Sequence, residues 1–232
     1  MISVERVSKR FGRKVVLDGV DLEVADREVV VILGPSGIGK TVLLKIMAGL
    51  LAPDRGRVRY DGIGLDYGLL SDNRALYSGL GYVFQGGALF DSMTVLDNVA
   101  LPLVEGIRVR PAEARVRAQA ALARVGMGGE EALYPRELSG GMTRLVAIAR
   151  ALVAEPRHVF YDEPTGGLDP VMRDRVCELI AGLRDREGRT ELVVTHDLAA
   201  AESVADRILM LRHGRLIALE AVRKEDYAAQ DS

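Results

Sequence analysis

Residues 34–41 have the composition and spacing of a phosphate-binding loop. They read Gly-Pro-Ser-Gly-Ile-Gly-Lys-Thr, between an apolar run at residues 29–33 and a helix-favouring run at residues 42–48. Glycines let the backbone wrap a phosphate chain, so that successive N–H groups and the positive end of the next helix point at negative oxygens. Lys40 adds a charge for the β and γ phosphates, and the Thr41 hydroxyl can bind Mg²⁺ that arrives with a nucleotide.

The predicted nucleotide-binding residues are Gly34, Pro35, Ser36, Gly37, Ile38, Gly39, Lys40, Thr41 and Val42. The alternative is a glycine-rich turn that only joins a strand to a helix. The order of strand, loop, lysine, threonine and helix argues against it.

Three other polar groups follow short strands and could share this site. Asp162 and Glu163 end one apolar run, His196 follows the next, and Gln85 ends an earlier one. Asp162 is suited to hold Mg²⁺ through water, and Glu163 to accept a proton from an attacking water. His196 could hydrogen-bond a γ-phosphate, and Gln85 could orient the water or touch the metal. Taken singly, each of these residues has a commoner interpretation. Asp162 and Glu163 could be exposed acids at a strand end, His196 a structural histidine, and Gln85 a glutamine with no role in the site.

The elements that would position these groups predict an α/β fold. The run at residues 29–33 is apolar at five consecutive positions, which indicates a parallel strand buried on both faces. Further strands are expected at 81–84, 159–161 and 192–194, with a helix at 171–187, so that strands and helices alternate around a mainly parallel sheet. Short antiparallel strands are expected at 2–7, 20–24 and 58–61, punctuated by Gly12 and Gly19. A hairpin at 208–219 turns at His213-Gly214.

The stretch at about residues 91–155 predicts an inserted helical subdomain within a single domain spanning 1–232. One helix begins at Pro111 and runs to about residue 125, because proline suits the first helical position. A second follows Leu-Ser-Gly-Gly at 138–141, and its Leu145 and Ile148 fall on one apolar face.

Composition narrows the class of protein. The 232 residues carry 31 Lys and Arg against 33 Asp and Glu, a formal charge of -2, so no electrostatic reason favours nucleic acid or an anionic membrane as partner. Cys177 is the single cysteine and is expected to be a small buried hydrophobe on a helix. The N-terminus lacks a signal-peptide pattern, and no stretch approaches the roughly 18 apolar residues of a membrane span. We expect a cytoplasmic protein that reaches any membrane through a partner.

Taken together, these motifs resemble the nucleotide-binding subunit of an ABC transporter. Residues 34–41 match Walker A, Gln85 the Q-loop, residues 138–142 the signature, 159–163 Walker B, 167–169 the D-loop and His196 the switch histidine. The resemblance implies a P-loop ATPase fold and a head-to-tail homodimer with two ATP molecules and Mg²⁺ at its seam. It adds Ser139, Gly140, Gly141 and Asp169 to the nucleotide site. Phe11 matches the A-loop position and stacks on adenine or, equally, belongs to the core.

Departures from the family pattern resemble a narrower group, the ATPases of MCE-type (Mla) phospholipid transporters. Met142 stands where most of the family has Gln, and Thr41-Val42 where it has Ser-Thr. Residues 84–90, with 97–100 and 102–103, add to this likeness. It implies a permease docked near residues 85–90, an MCE-domain protein in the complex, and a place on the cytoplasmic face of the inner membrane. The group often has a C-terminal clasp, but here the chain ends soon after Tyr227, and residues 223–232 are expected to fray.

Three alternatives remain at this point. Another ABC system, for lipoprotein release or amino-acid uptake, would keep the catalytic residues and change only the permease. A non-transport ABC protein of DNA repair or the ribosome usually has long coiled-coil insertions or two nucleotide domains, and neither is present. A regulatory module that binds ATP without turnover is disfavoured by Glu163 and His196.

Overall fold

The computed structural model describes residues 1–68, 77 and 79–219, without the side chains of 184–187. The tail predicted to fray therefore lies outside the described residues. The strands are β1 (Ile2–Phe11), β2 (Lys14–Val24), β3 (Val29–Leu33), β4 (Arg55–Tyr60), β5 (Ile63–Gly64), β6 (Leu80–Val83), β7 (His158–Asp162), β8 (Thr190–Thr195), β9 (Arg207–Arg212) and β10 (Arg215–Ala218). The α-helices are α1 (Lys40–Met47), α2 (Val95–Leu101), α3 (Pro111–Arg124), α4 (Gly140–Leu152), α5 (Pro170–Glu187) and α6 (Leu198–Val204).

Within the described residues the strands form two sheets. The antiparallel sheet has the order β2-β1-β4-β5, and the larger sheet has the order β10-β9-β3-β8-β7-β6. All neighbours in the larger sheet are parallel except β9 and β10, which form the hairpin predicted around His213-Gly214. Because β3, β7 and β8 are parallel neighbours, the residues that follow each of them meet at one edge of the sheet.

Strand β3 is buried on both faces, as its unbroken apolar sequence predicted. Val29, Val31 and Leu33 pack into one hydrophobic cluster with α4, α5 and α6. Val30 and Ile32 pack into a second cluster, with α1 and the antiparallel sheet. The phosphate-binding loop thus leaves a strand that is fixed from both sides, which gives it a rigid base.

The polypeptide between β6 and β7 is mostly helical. It contains α2, a π-helical turn (Pro102–Gly106), α3, a 3₁₀ turn (Pro135–Glu137) and α4. Pro111 is the first residue of α3, and Leu145 and Ile148 of α4 are buried, as predicted. These helices share the first hydrophobic cluster with the sheet. Their assignment as a separate subdomain over 91–155 stays a prediction.

Gly19 does not separate two strands, contrary to the expectation from its position. It lies inside β2 at φ 64°, beside an irregularity in the register of β1 and β2. A glycine in a strand interior commonly marks such a bulge, which bends the strand without ending it. Cys177 is buried on α5, as expected. Among the residues that the structure describes, each helix is too short or too polar to cross a bilayer.

Candidate functional site

The phosphate-binding loop joins β3 to α1, and its lysine is turned inward. Lys40 is only 4% exposed. Its Nζ donates hydrogen bonds to the carbonyl oxygens of Gly34, at 2.6 Å, and Pro35, at 3.1 Å. Gly39 has φ 120°, and a Cβ there would lie 2.6 Å from Cγ1 of Val16 on β2. The antiparallel sheet therefore packs against the loop and requires glycine at this position.

Thr41 and Asp162 are brought together, although 121 residues separate them. Thr41 Oγ1 donates to Asp162 Oδ1 at 2.7 Å, and the Tyr82 hydroxyl lies 3.4 Å from Asp162 Oδ2. Burial raises the pKa of Asp162, and the hydrogen bonds from Thr41 and Tyr82 oppose that rise. A hydroxyl and a carboxylate in contact are the hard oxygen donors that Mg²⁺ prefers.

Glu163 connects the loop to His196. Its Oε1 lies 3.1 Å from Lys40 Nζ, and its Oε2 lies 2.9 Å from His196 Nδ1. The residue has φ 49°, a left-handed backbone conformation that costs a non-glycine residue about 1 kcal/mol or more. Its backbone N–H donates to the Val194 carbonyl oxygen at 2.9 Å, so the strained turn is held against β8. The carboxylate is thereby fixed between the Lys40 ammonium and the His196 imidazole.

Among the described residues, Gln85 and Asp169 make no hydrogen bond to this cluster. Gln85 is exposed, two residues beyond the end of β6. Asp169 Oδ1 accepts a hydrogen bond from the Met172 backbone N–H at 3.0 Å, so Asp169 caps the start of α5. Their predicted contacts with metal, water or nucleotide stay predictions.

Ser139 caps α4, the helix predicted to follow the signature. Its Oγ accepts from the Met142 backbone N–H at 3.2 Å, while Ser139 and Gly140 are exposed. A Cβ on Gly141 would lie 2.6 Å from Cγ of Met172, which packs α5 against the beginning of α4. The N-terminus of α4 therefore presents backbone donors and a positive helix end to solvent. Among the described residues, no hydrogen bond joins it to the Lys40 cluster of its own chain.

Phe11 ends β1 and is 50% exposed, with Lys9 Nζ at 5.7 Å from the ring centroid. Its exposure rules out the core reading that the sequence left open. An exposed aromatic face beside the loop's sheet is available for stacking.

Three contacting residues were not predicted from sequence: Val16, Tyr82 and Met172. Each reaches the site from a different element, β2, β6 and α5 respectively. Tyr82 is paired with Phe160 in the register of β6 and β7, two residues before Asp162. That contact depends on β6 lying beside β7, and no local sequence pattern predicts it.

Comparisons with known proteins agree with this geometry. The family model described as ABC transporter matches residues 17–166. The probable ribonucleotide transport ATP-binding protein mkl of Mycobacterium tuberculosis is 39% identical over 93% of this chain. This chain spans about 60% of the length of that relative. The chloroplast protein TRIGALACTOSYLDIACYLGLYCEROL 3 of Arabidopsis thaliana is 40% identical, over 94% of this chain and 67% of its own length. Further relatives are named for the transport of L-cystine, sulfate/thiosulfate and glutamine.

Among solved structures, the fold matches the ATP-binding cassette MJ0796, described as dimeric, in a post-hydrolysis state, and bound to ADP and Pi. The TM-score is 0.84 at 33% identity, over 93% of this chain and 96% of that one. The likeness covers the antiparallel sheet, the mainly parallel sheet and the phosphate-binding loop.

Proposed function

This chain belongs to the ABC transporter family, with the P-loop ATPase fold of its ATP-binding cassettes, and we propose that it binds and hydrolyses ATP to drive a membrane transporter. The observation that carries the proposal is the convergence of Lys40, Thr41, Asp162, Glu163 and His196 at one edge of the parallel sheet. A related cassette bound to ADP and Pi supports the same reaction.

In the proposed reaction, the loop amides and Lys40 bind the β and γ phosphates of ATP. When ATP binds, Lys40 Nζ gives up its hydrogen bonds to the loop carbonyl oxygens and donates to phosphate oxygens instead. The positive charge of the ammonium therefore keeps hydrogen-bond acceptors. Glu163 accepts a proton from the water that attacks the γ-phosphorus, the bond from that phosphorus to the β,γ-bridging oxygen breaks, and ADP leaves. His196 Nδ1, 2.9 Å from Glu163 Oε2, orients that carboxylate. Gln85 orients the attacking water.

Mg²⁺ is the proposed cofactor, and the residues present fit it. Thr41 and Asp162 supply a hydroxyl and a carboxylate in contact, with Gln85 as a further oxygen donor. The described residues contain no group of three or more His, Cys, Asp or Glu suited to hold a metal alone, which agrees with an ion that arrives with the nucleotide. Bound there, it would neutralise phosphate charge.

The proposed working unit is a head-to-tail homodimer. The N-terminus of α4, where Ser139 and Gly140 are exposed and Gly141 is packed against Met172, would complete the site of the opposite chain, and its positive end suits a γ-phosphate. Asp169 would lie at the seam, and Phe11 would stack on adenine. Solved dimers of a related cassette support this arrangement. The two chains would associate when ATP binds and separate after hydrolysis, and this cycle would supply the movement that drives transport.

The proposed permease site is an apolar groove beside the loop at residues 85–90. Its volume is about 930 Å³, and Phe84, Ala88, Phe90, Leu101 and Ile107 are among its lining residues. Phe90 is 51% exposed and Ile107 39%. An exposed apolar groove of this kind suits a short helix of a membrane partner. The chain would thus sit on the cytoplasmic face of the inner membrane without entering it.

For the cargo we propose phospholipid, moved between the inner and outer membranes with an MCE-domain protein in the complex. The residues around Met142 and 84–90 support this assignment, as does the 40% identical relative named for trigalactosyldiacylglycerol. Similar identity to the L-cystine relative favours small-solute uptake as the second candidate.

Two measurements test the two parts separately. Purified chain is expected to release phosphate from ATP only with Mg²⁺, and absence of turnover with and without membranes would overturn the ATPase. Tagged chain recovered from its native membranes is expected to carry a permease, an MCE-domain protein and phospholipid. A permease recovered with a solute-binding protein instead would overturn the lipid cargo and leave the ATPase intact.

A further inference from the structure

Helix α4 binds the backbone of the loop after β6 through two arginine side chains. Arg144 Nη1 donates to the Phe84 carbonyl oxygen at 3.1 Å. Arg150 donates to two successive carbonyl oxygens, from Nη2 to Gly87 at 2.7 Å and from Nη1 to Ala88 at 2.8 Å. These contacts lie on either side of Gln85 in the chain.

The loop's own conformation explains why it needs such contacts. Gly86, Gly87 and Ala88 have φ values of 81°, 84° and 50°, so three successive residues are left-handed. This conformation does not propagate into regular structure, and it costs Ala88 about 1 kcal/mol or more. It turns the carbonyls of Gly87 and Ala88 towards α4, where regular backbone partners are absent among the described residues.

Packing holds the loop to the other end of the helix as well. A Cβ on Gly87 would lie 2.9 Å from Cγ2 of Thr143, in the first turn of α4. The loop thus contacts α4 from Thr143, next to the exposed Ser139 and Gly140, to Arg150, near the helix end. Ala88 and Arg150 also line the apolar groove proposed for the permease.

Arg150 has a simpler electrostatic environment than Arg144. Burial lowers the pKa of both guanidinium groups, but the charges of Asp162 and Glu163 act on Arg144 in the opposite direction. Among the described residues, the ion pairs do not include Arg150, so its charge is directed at the two carbonyls. Charge-assisted hydrogen bonds of this bidentate kind are about twice as strong as neutral ones.

From these contacts we infer that Arg150 is a positioning residue that fastens the loop at 84–88 to α4. The nucleotide-facing end of α4 and the permease groove then move as one body. This inference rests on the proposed function, because it gives the N-terminus of α4 to the opposite chain's ATP. Without Arg150 the loop would detach while α4 still received the nucleotide.

The test is amide hydrogen exchange in the hydrolysis-blocked background Glu163→Gln, with and without ATP and Mg²⁺. Arg150→Gln removes both hydrogen bonds, and Arg150→Lys keeps the charge and the apolar stem but not the fork. Arg117→Gln is the matched control, because Arg117 is an exposed arginine on α3 paired with Glu113. Nucleotide affinity is measured on every variant.

The expected result has two components. The Gly87 amide, whose N–H donates to the Phe84 carbonyl oxygen at 2.9 Å, exchanges roughly 10-fold or more faster in Arg150→Gln, and by a smaller factor in Arg150→Lys, with nucleotide affinity unchanged. The change that ATP causes in exchange at 86–89 disappears in Arg150→Gln but persists in the first turn of α4 and in Arg117→Gln. A purely structural role would raise basal exchange without removing that ATP response.

If the amides at 86–89 exchange at the same rate in both Arg150 variants as in the Glu163→Gln parent, the inference is overturned. An ATP response of the loop that survives in Arg150→Gln would also overturn it. If Arg150→Gln does not fold, the lysine variant decides by the same criteria. Failure of ATP to bind or to protect α4 in the Glu163→Gln parent would instead count against the proposed function.

Discussion

Lys40 and Glu163 form a buried ion pair, with Nζ and Oε1 3.1 Å apart. The pair joins the beginning of α1 to the turn after β7. Glu163 also contacts His196, which directly follows β8. Because the side chains of Lys40 and Glu163 are 4% and 8% exposed, each charge depends on the other and on nearby hydrogen bonds. The lysine proposed to bind phosphate and the proposed base are therefore positioned by one contact.

Glu163→Gln should abolish turnover while keeping nucleotide binding. The amide can still accept from Lys40 but cannot take a proton, so the rate of phosphate release is expected to fall roughly 10²- to 10⁴-fold. Nucleotide affinity is measured on the same preparation. Glu113→Gln, in the exposed pair with Arg117 on α3, serves as control and should keep the parental rate. An unaltered rate in Glu163→Gln would assign the base to another residue.

Thr41→Val should weaken the response to Mg²⁺. Valine keeps the shape but removes the hydroxyl bound to Asp162 at 2.7 Å, so the Mg²⁺ concentration for half-maximal turnover is expected to rise roughly 10-fold. Thr41→Ser keeps the hydroxyl and should restore the parental value. The titration is run at saturating ATP. Equal Mg²⁺ dependence in the valine and serine variants would contradict the assignment.

His158 should make folding stability depend on pH. Burial, with a contribution from Arg157, lowers the pKa of His158 from 6.5 to about 4, and its Nδ1 has no hydrogen-bond partner among the described residues. The unfolded chain therefore takes up a proton at a higher pH than the folded chain. Stability falls as pH drops from about 6.5 towards 4, by roughly 2 kcal/mol at pH 5 relative to neutral pH.

Urea unfolding at about pH 7.5 and pH 5 measures this difference. His158→Leu should reduce the pH dependence, because the group that titrates is gone. His213→Gln, on the exposed turn between β9 and β10, is the matched control and should keep it. A parental pH dependence in His158→Leu would show that other groups cause the loss.

Gly141→Ala and Gly140→Ala should differ in stability although they are adjacent. A Cβ at 141 would lie 2.6 Å from Met172 Cγ, whereas a Cβ at 140 meets nothing within 4 Å. Overpacking predicts a loss of about 1 to 3 kcal/mol for Gly141→Ala and none for Gly140→Ala. Urea midpoints and slopes measure both. Equal stability of the two variants would mean that the flexible Met172 side chain changes rotamer without cost, so that it does not hold α5 against α4.

The sequence predicted those parts of the fold that depend on local pattern. The five apolar residues of β3, Pro111 at the start of α3 and Ser139 before α4 each carry their own signal. The site was predicted as a set of strand-end residues because parallel strands bring their ends together.

The remaining contacts depend on which strands are neighbours and how the sheets pack. Tyr82 reaches Asp162 only because β6 lies beside β7, and Val16 reaches Gly39 only because the antiparallel sheet covers α1. Gly19 predicts a break between strands but lies in a bulge, because a bulge inside a strand and a turn between strands both favour glycine. The exposure of Phe11 likewise depends on its place at the end of β1.

The proposed site between two chains is tested most directly by mixing two inactive variants. Lys40→Ala damages the phosphate-binding loop, and Ser139→Arg blocks the N-terminus of α4. Each alone should lack ATP turnover, because every site in its dimer has one damaged half. Mixed, they should regain activity, since one of the two sites in a mixed dimer combines an intact loop with an intact α4. Mixtures that stay as inactive as the separate variants, with both variants folded, would contradict the two-chain site.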